Sequence, residues 1–228
     1  MKIIAINGSP HGKRGSCAQL VQRMFAACEA QGAETEMIAL QRRRINFCVG
    51  CGKCLSEGVC PQKDDVLEIQ DKMRAADGII FASPVYVMHV TGQMKTFIDR
   101  CLPMGHRPSL QGKYAAAVSA YAGIGNIDAV ADYLLHFLVG QGAYPVGKVC
   151  AFTTNIAVGE QDLEKAAQLG RDMIEAIRQK KTFNWEKLRE KTKEFKEMKE
   201  FITERKDFAR EDYKYWQERG WIDGKKPS

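Results

Sequence analysis

The chain alternates between short apolar runs and longer stretches in which apolar residues recur every three or four positions. The apolar runs predict buried β-strands at residues 2–7, 35–40, 78–86, 113–126 and 143–152, the fourth of which ends in a glycine-rich loop. The periodic stretches between them predict helices at residues 17–31, 64–77, 91–102, 127–142 and 159–179. This alternation predicts an α/β protein with a doubly wound parallel sheet of five strands.

The composition changes from residue 181, where Lys and Glu become frequent and aromatic residues are scattered among them. Seven apolar side chains of this part recur at roughly helical spacing: Trp185, Leu188, Phe195, Met198, Phe201, Ile202 and Phe208. They predict an amphipathic helix packed on its own domain or across a subunit interface, and the interleaved acidic residues disfavour a membrane-surface helix. We therefore expect a domain at residues 1–180 and a charged helical extension at residues 181–228.

Composition and charge narrow the choice of partners. With 228 residues, 45% of them hydrophobic, the chain can bury one substantial core. Of its net charge of +6, the part from Lys180 onward carries +4, but the signs alternate there as on a solvated helix face. No apolar run approaches the roughly 18 residues that span a bilayer, and the N-terminal apolar run is too brief for a signal peptide. We expect a cytoplasmic protein with reduced thiols that binds neither nucleic acid nor membrane.

The first apolar run leads into the glycine-rich sequence GSPHGKRGS at residues 8–16. In an open α/β sheet, ligands bind at this strand-to-helix edge, and a helix N-terminus offers free N–H groups to a phosphate. Glycines let the backbone curl closely, and serines and cations add donors: Gly8, Gly12, Gly15, Ser9, Ser16, Lys13 and Arg14. The sequence has neither the GKS or GKT of a Walker loop nor GxGxxG. By itself it predicts either a phosphate site or a structural turn.

Four of the eight cysteines fall in the sequence CVGCGKCLSEGVC at residues 48–60, here called the cysteine segment. Cys48, Cys51 and Cys54 have the CxxCxxC spacing that lets three thiolates converge on one compact iron-sulfur cluster, and Cys60 is near enough to complete the set. Structural zinc usually draws its ligands from two separated knuckles, and disulfides are rare in a reducing compartment. An iron-sulfur cluster is thus favoured over zinc, a disulfide or an empty segment.

The remaining candidates are expected to be structural. Asp64 or Asp65 should cap the N-terminus of the helix at residues 64–77 rather than bind a metal. The cysteines outside the segment are expected to be small core residues: Cys17, Cys28, Cys101 and Cys150. His89, His106 and His136 have no partner spacing and are expected to be structural or exposed.

Three sequences occur in an order that resembles the flavodoxin-like NAD(P)H-dependent FMN reductase superfamily. They are the GSP opening, ASPVY at residues 82–86 and TGQMKTFIDR at residues 91–100. The resemblance covers residues 1 to about 178 and implies the flavodoxin strand order 2-1-3-4-5. It implies that the first loop binds the FMN phosphate, that the SPVY loop lies along the isoalloxazine ring, and that residues 121–125 close the other side.

The residues expected from this resemblance to bind FMN are Ser9, His11, Gly15, Ser16, Cys17, Ser83, Pro84, Val85, Tyr86, Tyr121 and Gly123. Ser16 and Cys17 stand where members of the superfamily commonly carry Asn-Thr. Because a thiol is a weak donor, we expect backbone groups to supply more of the phosphate contacts.

Within the superfamily, the cysteine segment, carried on an insertion at residues 45–63, resembles the compact motif of the iron-sulfur flavoproteins, which hold a [4Fe-4S] cluster beside FMN. The resemblance implies a homodimeric or tetrameric oxidoreductase that passes electrons between NAD(P)H or a reduced ferredoxin, FMN and the cluster. FMN would supply the redox chemistry, so no side-chain acid or base is expected to be essential. The alternatives are an FMN or quinone reductase without a cluster and a non-catalytic flavodoxin-like electron carrier.

Overall fold

A computed structural model shows a six-stranded sheet with helices on both faces. The structure describes residues 1–123, 125–154 and 156–222. Ile124 of the predicted 121–125 loop, residues 223–228 of the predicted extension and the side chain of Leu188 lie outside that description.

The elements follow the predicted alternation closely. The strands are β1 (Lys2–Asn7), β2 (Glu34–Ala39), β3 (Gly78–Pro84), β4 (Tyr114–Tyr121), β5 (Tyr144–Thr154) and β6 (Ala157–Val158). The helices are α1 (Ser16–Glu29), α2 (Lys53–Ser56), α3 (Val66–Ala75), α4 (Gly92–Arg100), α5 (Leu102–His106), α6 (Ile127–Gly140), α7 (Glu160–Arg178), α8 (Trp185–Arg189), α9 (Lys193–Glu204) and α10 (Arg210–Glu218). Short 3₁₀ turns lie at Gly12–Arg14 and Leu40–Arg42.

The sheet has the order β2-β1-β3-β4-β5-β6, and β1 to β5 are parallel. The predicted doubly wound α/β class and the order 2-1-3-4-5 are thus confirmed. The predicted count of five strands is one too low, because β6 pairs antiparallel with the end of β5. A strand of two residues is too short to produce a period in the sequence.

Two apolar cores lie on the two faces of the sheet. Alternate side chains of β1 point to opposite faces, so Ile4 and Ile6 join the core under α3 to α6, whereas Ile3 and Ala5 join the core under α1 and α7. Gly170 lets α7 approach α1, since a Cβ there would lie 2.5 Å from the backbone oxygen of Met24. This arrangement leaves the carboxyl ends of the parallel strands together at one edge.

The helical C-terminal extension is confirmed, but the expectation of a single amphipathic helix is wrong. The extension comprises α8, α9 and α10, because the hydroxyl of Thr192 starts a new helix by accepting from the Phe195 amide at 3.2 Å. The three helices enclose an apolar cluster of Trp185, Phe195, Ile202, Trp216, Trp221 and Ile222.

This cluster packs on the extension's own domain. The indole N–H of Trp185 donates to the Val139 carbonyl at 2.5 Å, and that of Trp216 donates to the His106 carbonyl at 2.7 Å. Within the described part of the chain, no helix combines the length and apolar character needed to cross a membrane.

Candidate functional site

A cavity of about 220 Å³ opens at the carboxyl ends of β3, β4 and β5, beside the start of α1. Eight residues predicted to bind FMN line it: Ser9, His11, Ser16, Cys17, Pro84, Val85, Tyr86 and Tyr121. The sequence analysis missed three more lining residues, namely Ala120, Thr153 and Ile156, whereas Ala122 lines the cavity as part of the predicted loop at residues 121–125. Of the other predicted residues, Gly15, Ser83 and Gly123 do not line the cavity.

The start of α1 suits an anion. Its N-cap residue Gly15 provides no side-chain cap, and its first turn contains no acidic residue. The N–H groups of that turn are therefore not capped by a side chain, and the helix dipole favours negative charge there. Burial raises the pKa of Cys17 to about 12, so its thiol adds no negative charge to the cavity. These features fit the phosphate of FMN.

The loop that leads into α1 is held by Asn7 and by a close packing contact. The buried Asn7 side chain donates to the Gly12 carbonyl at 3.0 Å and accepts from the Ser9 amide at 2.9 Å. A Cβ at Gly15 would lie 2.8 Å from the Ser9 hydroxyl oxygen, so glycine permits this close curl. The sequence analysis missed Asn7, although a polar residue that directly follows four apolar strand residues is a recognisable signal.

Ser83 is buried next to the cavity-lining Pro84 and connects β3 to β4 and to the loop before α4. Its hydroxyl accepts from the Thr91 amide at 3.1 Å, and its carbonyl accepts from the Ser119 hydroxyl at 3.0 Å. The Thr91 hydroxyl in turn donates to the Gly8 carbonyl at 2.7 Å and accepts from the Met94 amide at the start of α4. Ser83 is thus buried and joins the loops before α1 and α4 to β4, and its contribution to the flavin site stays a prediction.

The SPVY sequence continues into a tight turn at the mouth of the cavity. Tyr86 and His89 exchange two backbone hydrogen bonds of 2.8 and 3.1 Å. Between them, Val87 and Met88 have φ values of +46° and +69° and are exposed. Positive φ is costly for a β-branched residue such as Val87, so the turn holds backbone strain beside the candidate flavin site.

The cysteine segment follows β2 and contains α2. Cys48 and Cys51 are exposed, Cys54 and Cys60 are half-buried, and all four are free thiols. Burial raises the pKa of Cys54, and the neighbouring Cys60 and Cys48 thiols raise it further. The spacing led us to expect converged ligands, but among residues 1–123, 125–154 and 156–222 no three His, Cys, Asp or Glu side chains are arranged to hold a metal ion.

Two arginines that the sequence analysis missed hold this segment in place. The buried Arg100 donates to the Cys60 Sγ at 3.4 Å and to the Asn46 carbonyl at 2.8 Å. Arg107 donates to the carbonyls of Cys54 at 2.9 Å and Gly58 at 2.7 Å. Iron-sulfur clusters are held by four cysteine sulfurs, and N–H groups that donate to those sulfurs tune the cluster. By its donor chemistry the segment therefore fits a thiolate-bound cluster.

Asp64 fixes Arg100, and both side chains are almost completely buried. Two guanidinium nitrogens of Arg100 lie 2.6 and 3.1 Å from the carboxylate oxygens of Asp64. Asp64 also accepts from the Val66 amide at the start of α3, whereas the N-cap residue Asp65 accepts from the Arg44 amide instead. The expected capping by Asp64 is thus present, together with an ion pair that the sequence did not predict.

The cavity and the cysteine segment lie at the same edge of the sheet. Asn7, Ala39 and Ala82 are level in the paired strands β1, β2 and β3, so the chain leaves all three on one side. Phe47, beside Cys48, lines a groove together with Gly92, just after the turn that borders the cavity. The segment and the cavity therefore emerge from the same edge of the sheet.

Comparison with known proteins places these features in context. A family model described as NADPH-dependent FMN reductase matches residues 1–156. An iron-sulfur flavoprotein of Archaeoglobus fulgidus is 40% identical over 223 residues, which are 97% of this chain and 100% of that protein. Two solved structures share the fold. A flavone reductase has a TM-score of 0.59 and 23% identity, over 78% of this chain and 63% of that chain. A flavodoxin, WrbA-like protein, of Agrobacterium tumefaciens has a TM-score of 0.54 and 17% identity, over 79% of this chain and 98% of that chain.

Proposed function

Because the chain belongs to the NADPH-dependent FMN reductase family and is close to the iron-sulfur flavoproteins, we propose that it passes electrons between an external donor, FMN and a [4Fe-4S] cluster. The chain is a flavin-dependent oxidoreductase. The observation that carries the proposal is that the four-cysteine segment and the cavity lie at the same edge of the sheet.

Each part of the cavity has a role in this proposal. The uncapped first turn of α1 and the hydroxyls of Ser9 and Ser16 would hold the FMN phosphate. Pro84, Val85 and Tyr86 would form one wall for the ring, with Tyr121 on the other side. Bound FMN would accept a hydride as two electrons and release them singly, and a cluster would carry them one at a time.

Cys48, Cys51, Cys54 and Cys60 would bind the cluster. The N–H groups that Arg100 directs at the Cys60 sulfur and Arg107 directs at the Cys54 carbonyl would offset the negative charge of the thiolates. Arg100 is held in the ionised state by Asp64, so its positive charge stays beside Cys60.

The surface around the segment suggests the kind of protein that exchanges electrons with it. Residues 41–63 contain five cations and one acid, and Arg42, Arg44, Lys53 and Lys63 are exposed. An acidic one-electron carrier, such as a ferredoxin, would be steered to this surface. NAD(P)H is the alternative electron donor, and it would act directly on the flavin.

We also propose that the protein works as a homodimer or tetramer. Exposed apolar side chains surround the site, among them Phe47, Val49, Val87 and Met88. Large apolar side chains grouped on a surface are typical of an interface. The mass of the protein in solution, measured by light scattering, tests this point, and a monomer at working concentrations would contradict it.

The first experiment is anaerobic purification followed by an absorbance spectrum, iron analysis and identification of the flavin released by boiling. We expect FMN and about four irons per chain, as one [4Fe-4S] cluster requires. FMN without iron, together with steady-state NAD(P)H oxidation, would indicate a simple FMN or quinone reductase. FMN without such oxidation would indicate an electron carrier, and no FMN would refute the proposal.

The second experiment replaces Cys54 by Ala, with Cys150→Ala as the matched control because Cys150 is a half-buried thiol outside the segment. C54A should lose the iron and retain FMN, and its electron transfer to a one-electron protein partner should fall sharply. Equal transfer rates in C54A and C150A would place the segment outside the electron path.

A further inference from the structure

The C-terminal extension contacts the cysteine segment directly. The ring of Phe208 lies against Gly52, where an added Cβ would be 2.3 Å from the ring. Glu211 lies next to Gly58, where an added Cβ would be 3.5 Å from its Cγ. Gly52 and Gly58 have φ values of +71° and +85°, so the two contacts fall on the two left-handed positions that flank α2.

A buried carboxylate connects α10 to the same segment. Asp212 is fully buried, and its carboxylate binds Arg107 and lies 2.6 Å from the Nδ1 of His106. Arg107 uses another nitrogen to donate to the carbonyls of Cys54 and Gly58. A guanidinium is a rigid planar fork, so a carboxylate that holds one side sets the direction of the donors on the other.

We propose that Asp212, acting through Arg107, is a positioning residue for the metal centre: the extension fixes the backbone between the third and fourth cysteines. This inference rests on the proposed function, because it assumes that the segment binds a cluster. The two carbonyls bound by Arg107 bracket the chain from Cys54 to Gly58 and leave only Val59 before Cys60. The separation of the two thiols therefore depends on this anchor.

The ion pair between Asp212 and Arg107 is better explained by a positioning role than by packing alone. A buried ion pair contributes little net stability compared with apolar residues of similar volume, so stability alone does not account for Asp212 and Arg107. Outer hydrogen bonds that orient the ligands of a metal, by contrast, commonly affect metal retention by 10- to 100-fold.

The test uses the full chain with three substitutions. Asp212→Asn preserves the shape of the side chain and removes its charge, and Phe208→Ala removes a half-exposed ring whose loss should leave the fold intact. Asp207→Asn is the control, because Asp207 is an exposed acid of the same extension. Amide hydrogen exchange at residues 48–60 is measured on metal-free protein, and iron loss to a chelator, the reduction potential and FMN content are measured after anaerobic reconstitution.

We expect exchange at residues 48–60 and the rate of iron loss to rise about tenfold or more in D212N and by a smaller factor in F208A. The potential of the cluster should shift in D212N, while FMN content stays at the wild-type value. Iron loss and exchange in D212N equal to those of D207N would overturn the inference. Failure of the wild type to bind iron would instead refute the proposed function. Amide exchange of the metal-free protein would still show whether Asp212 holds the cysteine segment in place. A rise of exchange over the whole sheet in D212N would mean that this variant is generally destabilised, and F208A is then the deciding variant. Wild-type exchange at residues 48–60 and wild-type iron retention in F208A would overturn the inference.

Discussion

Individual thiols of this chain differ strongly in their surroundings. Burial raises the pKa of Cys17 and Cys101 to about 12, whereas Cys48 and Cys51 are exposed. Since the thiolate is the reactive form, a rise of three units lowers its fraction at pH 8 by about a thousandfold. Cys101 also accepts from the Gln70 amide, which fixes it in the core.

We predict that iodoacetamide modifies Cys48 and Cys51 of the folded metal-free protein well before Cys17 and Cys101. Mass spectrometry of peptides after timed quenching measures the four rates, and the urea-unfolded chain is the control in which they should become similar. Equal labelling of all four in the folded protein would contradict the assigned burial.

Asp64 gives a prediction about acid stability. Burial alone would raise its pKa, but hydrogen bonds from Arg100 and from the Asn46 and Val66 amides lower it below its usual value. A carboxyl whose folded pKa is lowered stabilises the protein above the unfolded value, about 3.9, and loses that contribution as the pH falls through the folded value.

We predict that Asp64→Asn lowers the free energy of unfolding at pH 7 by about 3 kcal/mol, because it leaves Arg100 buried without a counterion. The loss should shrink as the pH falls below about 4 and through the lowered folded pKa of Asp64, where the wild-type carboxyl also becomes protonated. Urea unfolding at several pH values measures it, with the exposed Asp71→Asn as the control. A pH-independent difference would argue against the ion pair as the cause.

At the scale of elements, the turn after β3 has an unfavourable sequence for its backbone. Two-residue turns with positive φ at both positions favour Asn-Gly, but this one contains Val87 and Met88. We predict that V87N/M88G raises the free energy of unfolding by about 1 kcal/mol, because it relieves the strain. Urea unfolding measures the change, and Val87→Thr, which remains β-branched, should give none. An unstabilised double variant would show that the turn stores no strain.

Strands β1 to β5 were predictable because each of them has a period or an unbroken apolar run. GIIFAS of β3 is wholly buried, as its composition indicates, and the glycine loop lies at the predicted edge. The break between α8 and α9 was missed because the apolar spacing continues across Thr192. The apolar spacing of a sequence identifies helices and strands, but it does not identify contacts between elements that are far apart in the chain.

The candidate site shows that limit most clearly. Eight predicted residues line the cavity because they lie on loops next to strand ends, which topology brings together. Arg107 and Asp212 are 105 residues apart, and no pattern near either indicates that they pair. The arginines around the cysteine segment therefore emerged only from the three-dimensional packing.

For the whole molecule, the extension is predicted to be part of the same cooperative unit as the sheet. Trp216 is fully buried, stacks on Phe195 with ring centroids 4.8 Å apart, and donates to the body at His106. Arg189 lies among the same aromatic rings, and burial lowers its pKa to about 10, so it stays charged at pH 7.

We predict that deleting residues 182–228 lowers the melting temperature of the remaining domain and increases binding of the dye ANS, because the faces of α5 and α6 become exposed. Trp216→Ala in the full chain should lower the free energy of unfolding by about 3–5 kcal/mol in a single transition. Thermal unfolding followed by circular dichroism measures both. An unchanged melting temperature in the truncated chain would mean that the extension is energetically separate.

The contact between α10 and the cysteine segment also sets an order of assembly in the cell. Asp212 follows Cys60 by about 150 residues, so at 5–20 residues per second a ribosome adds it roughly 8–30 s later. During that interval the nascent chain presents its four thiols without the Asp212–Arg107 anchor. Under the proposed function, stable delivery of iron and sulfide should therefore follow translation, and a pool of newly made chains should be rich in oxidisable thiols.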